Sequence, residues 1–286
     1  QEAPSLQVPD RALTFDPPAL DGEGLTLLVY PSARFGDGNS ANRPWLQELP
    51  DPVSKISWHS WVEVHPETAS DLGISTGDIV RVTSPHGQLE VPVWTYPGIL
   101  RNTVALAMGS GHTRFGRFAD GRGVNPMALL PAEIEQTSGS LVHLATRVAI
   151  EPTGERQRIA SIEGSSDQND RPITPAVELS ALQAGQLEEE EHSEIHELQA
   201  VGGFVPVPTE GRPEDFPLEG ARHGQYEPEG YARWAMAVDL DKCTGCSACV
   251  TACQSENNVA SVGEEQSKMG RDLHWIRLER FYEEVN

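Results

Sequence analysis

The chain has 286 residues, of which 38% are hydrophobic, and its 43 acidic residues outnumber 21 basic residues to give a formal net charge of -22. A charge of this sign and size repels nucleic acid and anionic membrane surfaces, so a nucleic-acid partner is excluded. The 26 glycines and 22 prolines favour short strands and loops over long helices, and no apolar run approaches the roughly 18 residues of a membrane span.

Residues 1–23 are polar and proline-rich, which predicts an extended N-terminal segment. Residues 24–150 are then predicted to form a compact β barrel, because short runs rich in Val, Ile, Leu and Thr are separated by glycine and proline. His86-Gly87 lies between two alternating runs, as in a hairpin, and Pro92 implies an edge position or a bulge. The predicted strands are 25–30, 78–84, 88–96 and 103–108.

Residues 151–233 are dominated by Ser, Asp, Glu, Gly and Pro, which predicts an acidic linker with one helical island at residues 174–184. The run 188–191 consists of glutamates and is most simply a solvated acidic face. His192 and His196 stand four residues apart, as two metal ligands on one helix face would. The metalloprotease pattern requires Glu directly after the first His, whereas a serine follows here, so the solvated linker is the preferred interpretation.

Residues 234–286 begin a third region with a different pattern. Residues 236–240 alternate as a strand, and the cysteines of the chain follow. Residues 247–256 can continue as a short helix that Asn257-Asn258 would end, and a last alternating strand is predicted over residues 274–281.

All the cysteines fall in one short run, at Cys243, Cys246, Cys249 and Cys253. The spacing C-x2-C-x2-C-x3-C is typical of cubane iron–sulfur loops, in which the first three thiolates bind one cluster and the fourth binds another. Thiolates are soft donors that match iron, and Gly245 lets the backbone approach the cluster closely. These cysteines are therefore predicted to be 4Fe-4S ligands, with the fourth one serving a second cluster.

Zinc and a disulfide pair are the alternative interpretations of this run. A disulfide framework scatters its cysteines, and zinc normally uses two C-x2-C knuckles separated by a dozen or more residues. Two clusters need twice as many thiolates as the 4 cysteines of this chain. We therefore expect further cysteines beyond Asn286 and a chain that is a fragment of a longer protein.

The segment 236–258, with its Cys-Thr-Gly-Cys-Ser-Ala-Cys-Val-Thr-Ala-Cys run, and the later segment 269–282 resemble the start of the four-cluster ferredoxin subunits of the molybdopterin oxidoreductase superfamily. Gln254 follows the fourth cysteine where simple bacterial ferredoxins carry proline, which fits this larger group. Residues 39–52 and 62–82 are similar to the C-terminal dinucleotide-binding domain of molybdopterin enzymes, a double-psi β barrel.

The presence of both regions in one chain resembles the iron–sulfur subunit of bacterial alternative complex III, a quinol:electron-acceptor oxidoreductase. The resemblance covers about residues 25–131 and 235–282, and the cysteine run is its specific part. It implies a mainly β fold with an α+β part: a double-psi β barrel like the molybdopterin dinucleotide-binding domain, an acidic linker and a ferredoxin-like iron–sulfur module.

The same resemblance implies cofactors, partners and a location. The cofactors would be 4Fe-4S clusters, with a 3Fe-4S cluster as an option in the complete subunit, and no molybdopterin in the barrel. The partners would be an integral membrane quinol-binding subunit, a multihaem cytochrome c subunit and other subunits of a respiratory complex. The chain would be a peripheral subunit on the periplasmic side of the bacterial inner membrane.

The stretch 109–126 occupies the position where molybdopterin enzymes read the pterin dinucleotide. No Gly-Lys-Ser/Thr follows it, so it is not a P-loop. It could cradle a phosphate, but the preferred interpretation is a structural loop whose arginines pair with nearby acids. Its glycines and arginines are Gly109, Gly111, Gly116, Gly121 and Gly123 with Arg114, Arg117 and Arg122.

His274, Trp275 and Arg277 follow the cysteine run and could tune a cluster potential through hydrogen bonds and solvent exclusion. The alternative is that Trp275 packs and Arg277 pairs with a carboxylate. Neither interpretation makes them catalytic, and the sequence contains no Gly-x-Ser-x-Gly elbow. No catalytic residue is predicted in this chain.

The sequence thus favours an electron relay from a quinol to a cytochrome-type acceptor. The second hypothesis is a molybdopterin oxidoreductase whose barrel still binds the molybdenum cofactor. The third is a zinc-binding interaction scaffold without redox chemistry.

Overall fold

The computed structural model describes residues 23–134, 138–143, 146–162, 167, 179–184 and 238–282. The chain divides into two compact units, one built from Gln1–Gln168 with Thr244–Asn286 and the other from Asn169–Cys243. Within the described ranges, no helix is long and apolar enough to cross a membrane.

The first unit contains most of the regular structure. Its strands are β1 (Leu25–Pro31), β2 (Val62–Val64), β3 (Asp78–Thr83), β4 (Gln88–Thr95), β5 (Thr103–Met108) and β6 (Thr146–Arg156). Its helices are α1 (Pro44–Glu48), α2 (Pro66–Leu72), α4 (Ala248–Glu256) and α5 (Glu264–Ser267), with a 3-10 turn at Pro126–Leu129. The second unit contains α3 (Leu179–Ala184) and a 3-10 turn at Leu240–Lys242.

The six strands form a closed ring in the order β1-β5-β2-β4-β3-β6, and β6 pairs back with β1. The pairs β1–β5 and β2–β4 are parallel, whereas the other pairs are antiparallel. A closed ring leaves no free strand edge for another chain to pair with. The prediction of a mainly β region is confirmed, and its double-psi connectivity stays a prediction.

Valine and leucine fill the interior of the ring. In β3, Val80 and Val82 are buried, whereas Arg81 between them faces outward and pairs with Glu90 of β4 at 2.7 Å. This alternation is what a strand with one buried face requires. The fully buried members of the core are Leu27, Val62, Val64, Val80, Val82, Val91, Val93, Val104, Leu106 and Leu129.

The four predicted strands of this region correspond to β1, β3, β4 and β5, with differences of one residue at their ends. Two strands have no counterpart in the sequence prediction. β2 has only 3 residues, too few for a periodic signal. β6 contains Pro152 and Gly154, which are typical of a linker, and it runs to Arg156, past residue 150 where the linker is predicted to begin.

The predicted edge position of Pro92 is wrong for the strand as a whole, because β4 pairs with β3 on one side and with β2 on the other. Pro92 itself lies opposite Ile79 of β3, and pairing with β2 begins at the next residue, Val93. Proline has no N–H to donate, and this position lies just outside the β2 ladder. The missing N–H of Pro92 therefore costs no hydrogen bond between β4 and β2.

The iron–sulfur region differs from its prediction at both ends. The expected strand at 236–240 is absent from the part of it that is described, where a 3-10 turn begins at Leu240 instead. Residues 274–281 are irregular rather than a strand. An alternating pattern supplies one apolar face, but a strand also needs a neighbour for its hydrogen bonds, and no described strand pairs with this segment.

The predicted helix at 247–256 is confirmed as α4, which ends at Asn257. The helical island at 174–184 is observed as α3 over its last six residues. The rest of that island, most of residues 1–23, the glutamate run 188–191, and His192 with His196 lie outside the described residues.

We predict that Leu106→Ala lowers the free energy of unfolding by about 2–5 kcal/mol, because it leaves a cavity in a core that cannot collapse to fill it. Leu106 is 0% exposed in β5, whereas Leu100, just before that strand, is 73% exposed. Urea unfolding followed by circular dichroism measures the change. The matched control Leu100→Ala should alter stability by less than about 0.5 kcal/mol, and equal effects of the two substitutions would contradict the assignment of the core.

Candidate iron–sulfur site

The cysteine run begins directly after the 3-10 turn at Leu240–Lys242 and ends within helix α4. All of its cysteines are free thiols: Cys243, Cys246 and Cys249 are exposed, and Cys253 is half-buried. Cys249 and Cys253 stand four residues apart in α4, so they lie on one face of that helix. The thiols that the sequence predicts as ligands are therefore free of disulfides.

Two left-handed residues, one on each side of Cys246, turn the chain sharply before α4. Gly245 has φ +70° and Ser247 has φ +59°. Glycine adopts this conformation without strain, whereas serine does so at a small cost. Ser247 is buried, and its C=O accepts hydrogen bonds from the N–H (3.0 Å) and the hydroxyl (3.2 Å) of Thr251. These two hydrogen bonds connect the left-handed segment to the first turn of α4.

Hydrogen-bond donors point at two of the sulfurs. The pKa of the Cys246 thiol is lowered, mainly because the backbone N–H of Ala248 donates to its sulfur, with a further hydrogen bond from the Thr244 hydroxyl. Asn257 donates from Nδ2 to the Sγ of Cys253 at 3.6 Å. Donors of this kind stabilise a charged thiolate, which is the form that binds iron. The chemistry and the surroundings of these side chains fit a cluster.

Among the described residues, no three His, Cys, Asp or Glu side chains converge into a group that could hold a metal ion. Thiolates repel one another until a cation lies between them, and metal binding is commonly coupled to the folding of its ligand loop. The assignment of Cys243, Cys246, Cys249 and Cys253 as ligands therefore rests on their spacing and on the donors around them, and it stays a prediction.

His274 follows α4 in the sequence and contacts this helix through Gln254. It is buried, and the amide of Gln254 donates to its Nδ1 at 2.8 Å, while its Nε2 lies 3.2 Å from Oδ2 of Asp272. The imidazole thus bridges the side chains of Gln254 and Asp272. Gln254 directly follows Cys253, so the imidazole fixes the residue next to a predicted ligand.

The predictions for Trp275 and Arg277 have different outcomes. Trp275 is 63% exposed, so the expectation that it packs is wrong. Arg277 pairs with Glu279 at 3.6 Å, which confirms the expected carboxylate partner. Lys242, which precedes the first cysteine, is exposed and pairs with Asp239 at 2.9 Å.

Helix α1 and the loop between α1 and β2 form one of the parts of the β region that meet the iron–sulfur module. Arg34 is buried against it and donates to the C=O of Gln47 (3.0 Å) and of Leu49 (3.3 Å). Burial lowers the pKa of Arg34 to about 10, which leaves it charged at neutral pH. The buried Lys55 donates from Nζ to the C=O of Pro52 at 2.7 Å. Two buried cations thus hold the carbonyl groups of this loop in place.

Glu48, the last residue of α1, binds the segment that follows α4. Glu48 is 4% exposed, and its carboxylate accepts hydrogen bonds from the N–H of Val262 (2.8 Å) and of Gly263 (2.9 Å). Trp58 is also buried and donates from Nε1 to the hydroxyl of Ser267 at 3.2 Å. These partners are more than 200 residues apart in the chain, so no sequence pattern reveals them.

An open cleft of about 340 Å³ separates α1 from α4. Its walls include Trp45 of α1 and Thr251 and Gln254 of α4, and Glu48 lies beside it. The carboxylate of Glu48 is already bonded to backbone N–H groups, so the charged group nearest the cleft is satisfied within the chain.

The glycine-rich stretch packs against its own chain. A Cβ at Gly111 would lie 2.3 Å from the backbone N of Asn125, and one at Gly116 would lie 2.2 Å from Nδ2 of Asn42. Both glycines also have positive φ angles, +82° and +123°. Protein atoms therefore occupy the space that the missing side chains leave at these two positions.

Two arginines of this stretch have partners in the chain. Arg122 forms an ion pair with Glu264 of α5 and lies over the ring of Trp58, with 4.7 Å from its Cζ to the ring centroid. Arg117 lies over Phe118 at 5.1 Å. The predicted pairing of loop arginines with acids is thus observed at Arg122.

Two segments of the chain match known protein families. Residues 38–141 match the family described as Molydopterin dinucleotide binding domain, and residues 234–255 match the family described as 4Fe-4S binding domain. The chain therefore combines a molydopterin-binding domain with a 4Fe-4S domain. The first match contains the glycine-rich stretch, and the second contains the cysteine run.

Two similar proteins come from Nitratidesulfovibrio vulgaris. The molybdopterin-binding-like subunit of menaquinone reductase is 36% identical over 140 residues, which cover 49% of this chain and 20% of that protein. The iron–sulfur cluster-binding subunit of menaquinone reductase is 50% identical over 44 residues, which cover 15% of this chain and 17% of that protein. The two domains of this chain thus resemble two separate subunits.

A third relative is the molybdopterin-containing subunit of arsenate respiratory reductase from a Shewanella species, 33% identical over 103 residues that cover 35% of this chain and 12% of that protein. The chain spans a fifth or less of the length of each of these relatives. The solved structure of acetylene hydratase from Pelobacter acetylenicus aligns with 44% of this chain and 18% of its own, at 17% identity and a TM-score of 0.35, which is too low a likeness to argue from.

We predict that Thr244→Val slows alkylation of Cys246 about two- to threefold at neutral pH, because losing one donor raises the pKa of that thiol. Rates of iodoacetamide labelling, followed by mass spectrometry of the iron-free protein, measure the effect. Thr251→Val is the matched control, since its hydroxyl donates to a C=O and not to sulfur. Equal labelling rates in wild type and Thr244→Val would show that the hydroxyl does not act on Cys246.

Proposed function

We propose that this chain transfers electrons through 4Fe-4S clusters as part of a quinone-linked oxidoreductase. The observation that carries the proposal is a cysteine run with cluster spacing and hydrogen-bond donors at the sulfurs of Cys246 and Cys253. Residues 244–286, which contain all of these cysteines except Cys243, belong to one unit with the molydopterin-binding domain. The similarity of its two domains to two subunits of one menaquinone reductase supports the same conclusion.

A bound cubane cluster supplies reversible one-electron chemistry, and the protein supplies its placement and tuning. Cys243, Cys246 and Cys249 would hold one cluster, and Cys253 would contribute to a second. The Ala248 N–H lowers the charge density on the sulfur of Cys246 and so favours the thiolate. No side chain of this chain is assigned a proton-transfer or nucleophilic role.

The finer part of the proposal concerns the assembly. We infer a relationship to alternative complex III, with an integral membrane quinol-binding subunit and a multihaem cytochrome c subunit as partners, on the periplasmic side of the membrane. The β region would be a double-psi barrel that serves as a scaffold without molybdenum cofactor. The filled spaces at Gly111 and Gly116 and the ion pair of Arg122 support a structural role for its loop.

The proposed direction of electron flow runs from quinol to a cytochrome-type acceptor, whereas the relatives from Nitratidesulfovibrio vulgaris are named for the reduction of menaquinone. A chain of clusters conducts electrons either way. The direction depends on the potentials of the quinone and of the acceptor, and the environment of each cluster sets its own potential between them.

The second candidate is a molybdopterin oxidoreductase whose β region still binds the cofactor. The similarity to the molybdopterin-containing subunit of arsenate respiratory reductase favours it. The zinc-binding scaffold is the third candidate. Metal content separates all three.

We predict that the purified complex contains iron and acid-labile sulfide in near-equal amounts, without stoichiometric molybdenum or zinc. Elemental analysis and low-temperature EPR after dithionite reduction measure this. Stoichiometric molybdenum would support the second candidate, and zinc without iron would contradict both redox candidates.

We further predict that Cys249→Ser and Cys253→Ser remove different EPR signals, because these residues are assigned to different clusters. Ser255→Ala, an exposed substitution on the same helix, should leave both signals intact. Loss of one and the same signal in both cysteine variants would instead assign all the cysteines of this run to a single cluster.

A further inference from the structure

Helix α5 and the residues before it are held by three side chains of the β region, and we call this set of contacts the α5 joint. Glu48 accepts the N–H groups of Val262 and Gly263, and Trp58 donates to Ser267. Arg122 forms an ion pair with Glu264. The three side chains come from α1, from the loop before β2 and from the end of the glycine-rich stretch.

The ion pair of the α5 joint is only partly accessible to water. The Arg122 side chain is 26% exposed and that of Glu264 is 16% exposed. One face of the guanidinium lies over the Trp58 ring, whose own N–H is bonded to α5. Lys268 adds a second cation to Glu264 at 3.0 Å. Partly desolvated pairs within such a network are worth more than isolated surface pairs.

The ion pair between Arg122 and Glu264 conflicts with phosphate binding by the glycine-rich stretch. A phosphate at the Arg122 guanidinium would have to displace Glu264, and displacement would leave a mostly buried carboxylate with one cation fewer. The loop also offers little backbone space, because a Cβ at Gly123 would lie 2.3 Å from the hydroxyl of Ser60. Protein atoms thus occupy the space beside Gly111, Gly116 and Gly123, although not beside Gly121.

We propose that the glycine-rich stretch anchors the iron–sulfur module through Arg122 instead of presenting that arginine to a dinucleotide phosphate. Arg122 is then a positioning residue for the cluster loop. The α5 joint holds the segment that directly follows α4, and an ideal Cβ on Gly245 in the cysteine run lies 3.5 Å from Cβ of Pro52. The part of this inference that concerns the cluster rests on the proposed function.

Hydrogen exchange tests the joint itself and does not depend on iron. In the intact protein, Arg122→Gln and Glu264→Gln should each accelerate amide exchange across residues 259–268 at least severalfold. The double variant should show no more than the larger single effect, because both substitutions break one interaction. The matched control is Arg81→Gln, which breaks the exposed cross-strand pair with Glu90 at 2.7 Å and should leave exchange in this segment unchanged.

The midpoint potential of the loaded cluster separates positioning from a simple charge effect. A through-space effect shifts the potential down when the Arg122 cation is removed and up when the Glu264 anion is removed. Loosening of the module shifts it up in both variants, because water stabilises the more negative reduced cluster. We expect upward shifts in both variants, and shifts of opposite sign would overturn the positioning role.

Inorganic pyrophosphate is the probe for the competing role of the loop. We expect calorimetry to detect no saturable binding to the wild-type chain. Saturable binding that Arg122→Gln abolishes and Arg81→Gln retains would overturn the proposal. If the complex contains no iron but the exchange results hold, the proposed function fails while the anchoring role of Arg122 stands.

Discussion

The buried carboxylate of Glu48 constrains how the two parts of the first unit meet. Glu48 is 4% exposed, and its carboxylate must be matched by donors, since an unpaired buried charge is strongly destabilising. The donors are backbone N–H groups of Val262 and Gly263, which belong to the segment after α4. Movement of the iron–sulfur module away from the β region would therefore break both of these hydrogen bonds.

The rest of this interface is built on the same principle. Arg34 and Lys55 are buried cations that bond the carbonyl groups of the loop from which Trp58 projects. The closed ring of strands beneath supplies rigidity, because each strand has two neighbours and the interior is filled by valine and leucine. The polar interface is thus carried by a scaffold whose core is apolar.

The two domains carry different kinds of constraint. The β region requires glycine at Gly111 and Gly116, where a side chain would collide with the chain itself. The cysteine run requires glycine at Gly245, where a left-handed turn precedes the thiols of α4. In the relatives, similar domains belong to separate subunits. Their combination in one chain makes the contacts of Glu48 and Arg122 intramolecular, which removes the entropy cost of association between subunits.

The sequence by itself determined the features that depend on local spacing. Strands β1, β3, β4 and β5, helix α4 and its end at Asn257 all follow from short periodic patterns and capping residues. The cysteine run indicates iron–sulfur chemistry through a spacing that a single loop imposes. The short strand β2 and the proline-containing strand β6 lacked such a local signal, because they are defined by the neighbours that complete the ring.

Only the tertiary structure decided which charged residues act together. Arg122 and Glu264 are 142 positions apart, and nothing in either local sequence marks the other as its partner. The alternating segment at 274–281 shows the opposite case, in which a local pattern was present but no neighbouring strand among the described residues bonded to it. Hydrogen bonds and ion pairs between distant segments depend on where the fold brings backbone and side chains together, and that information lies in the packing of the whole unit rather than in any stretch of sequence.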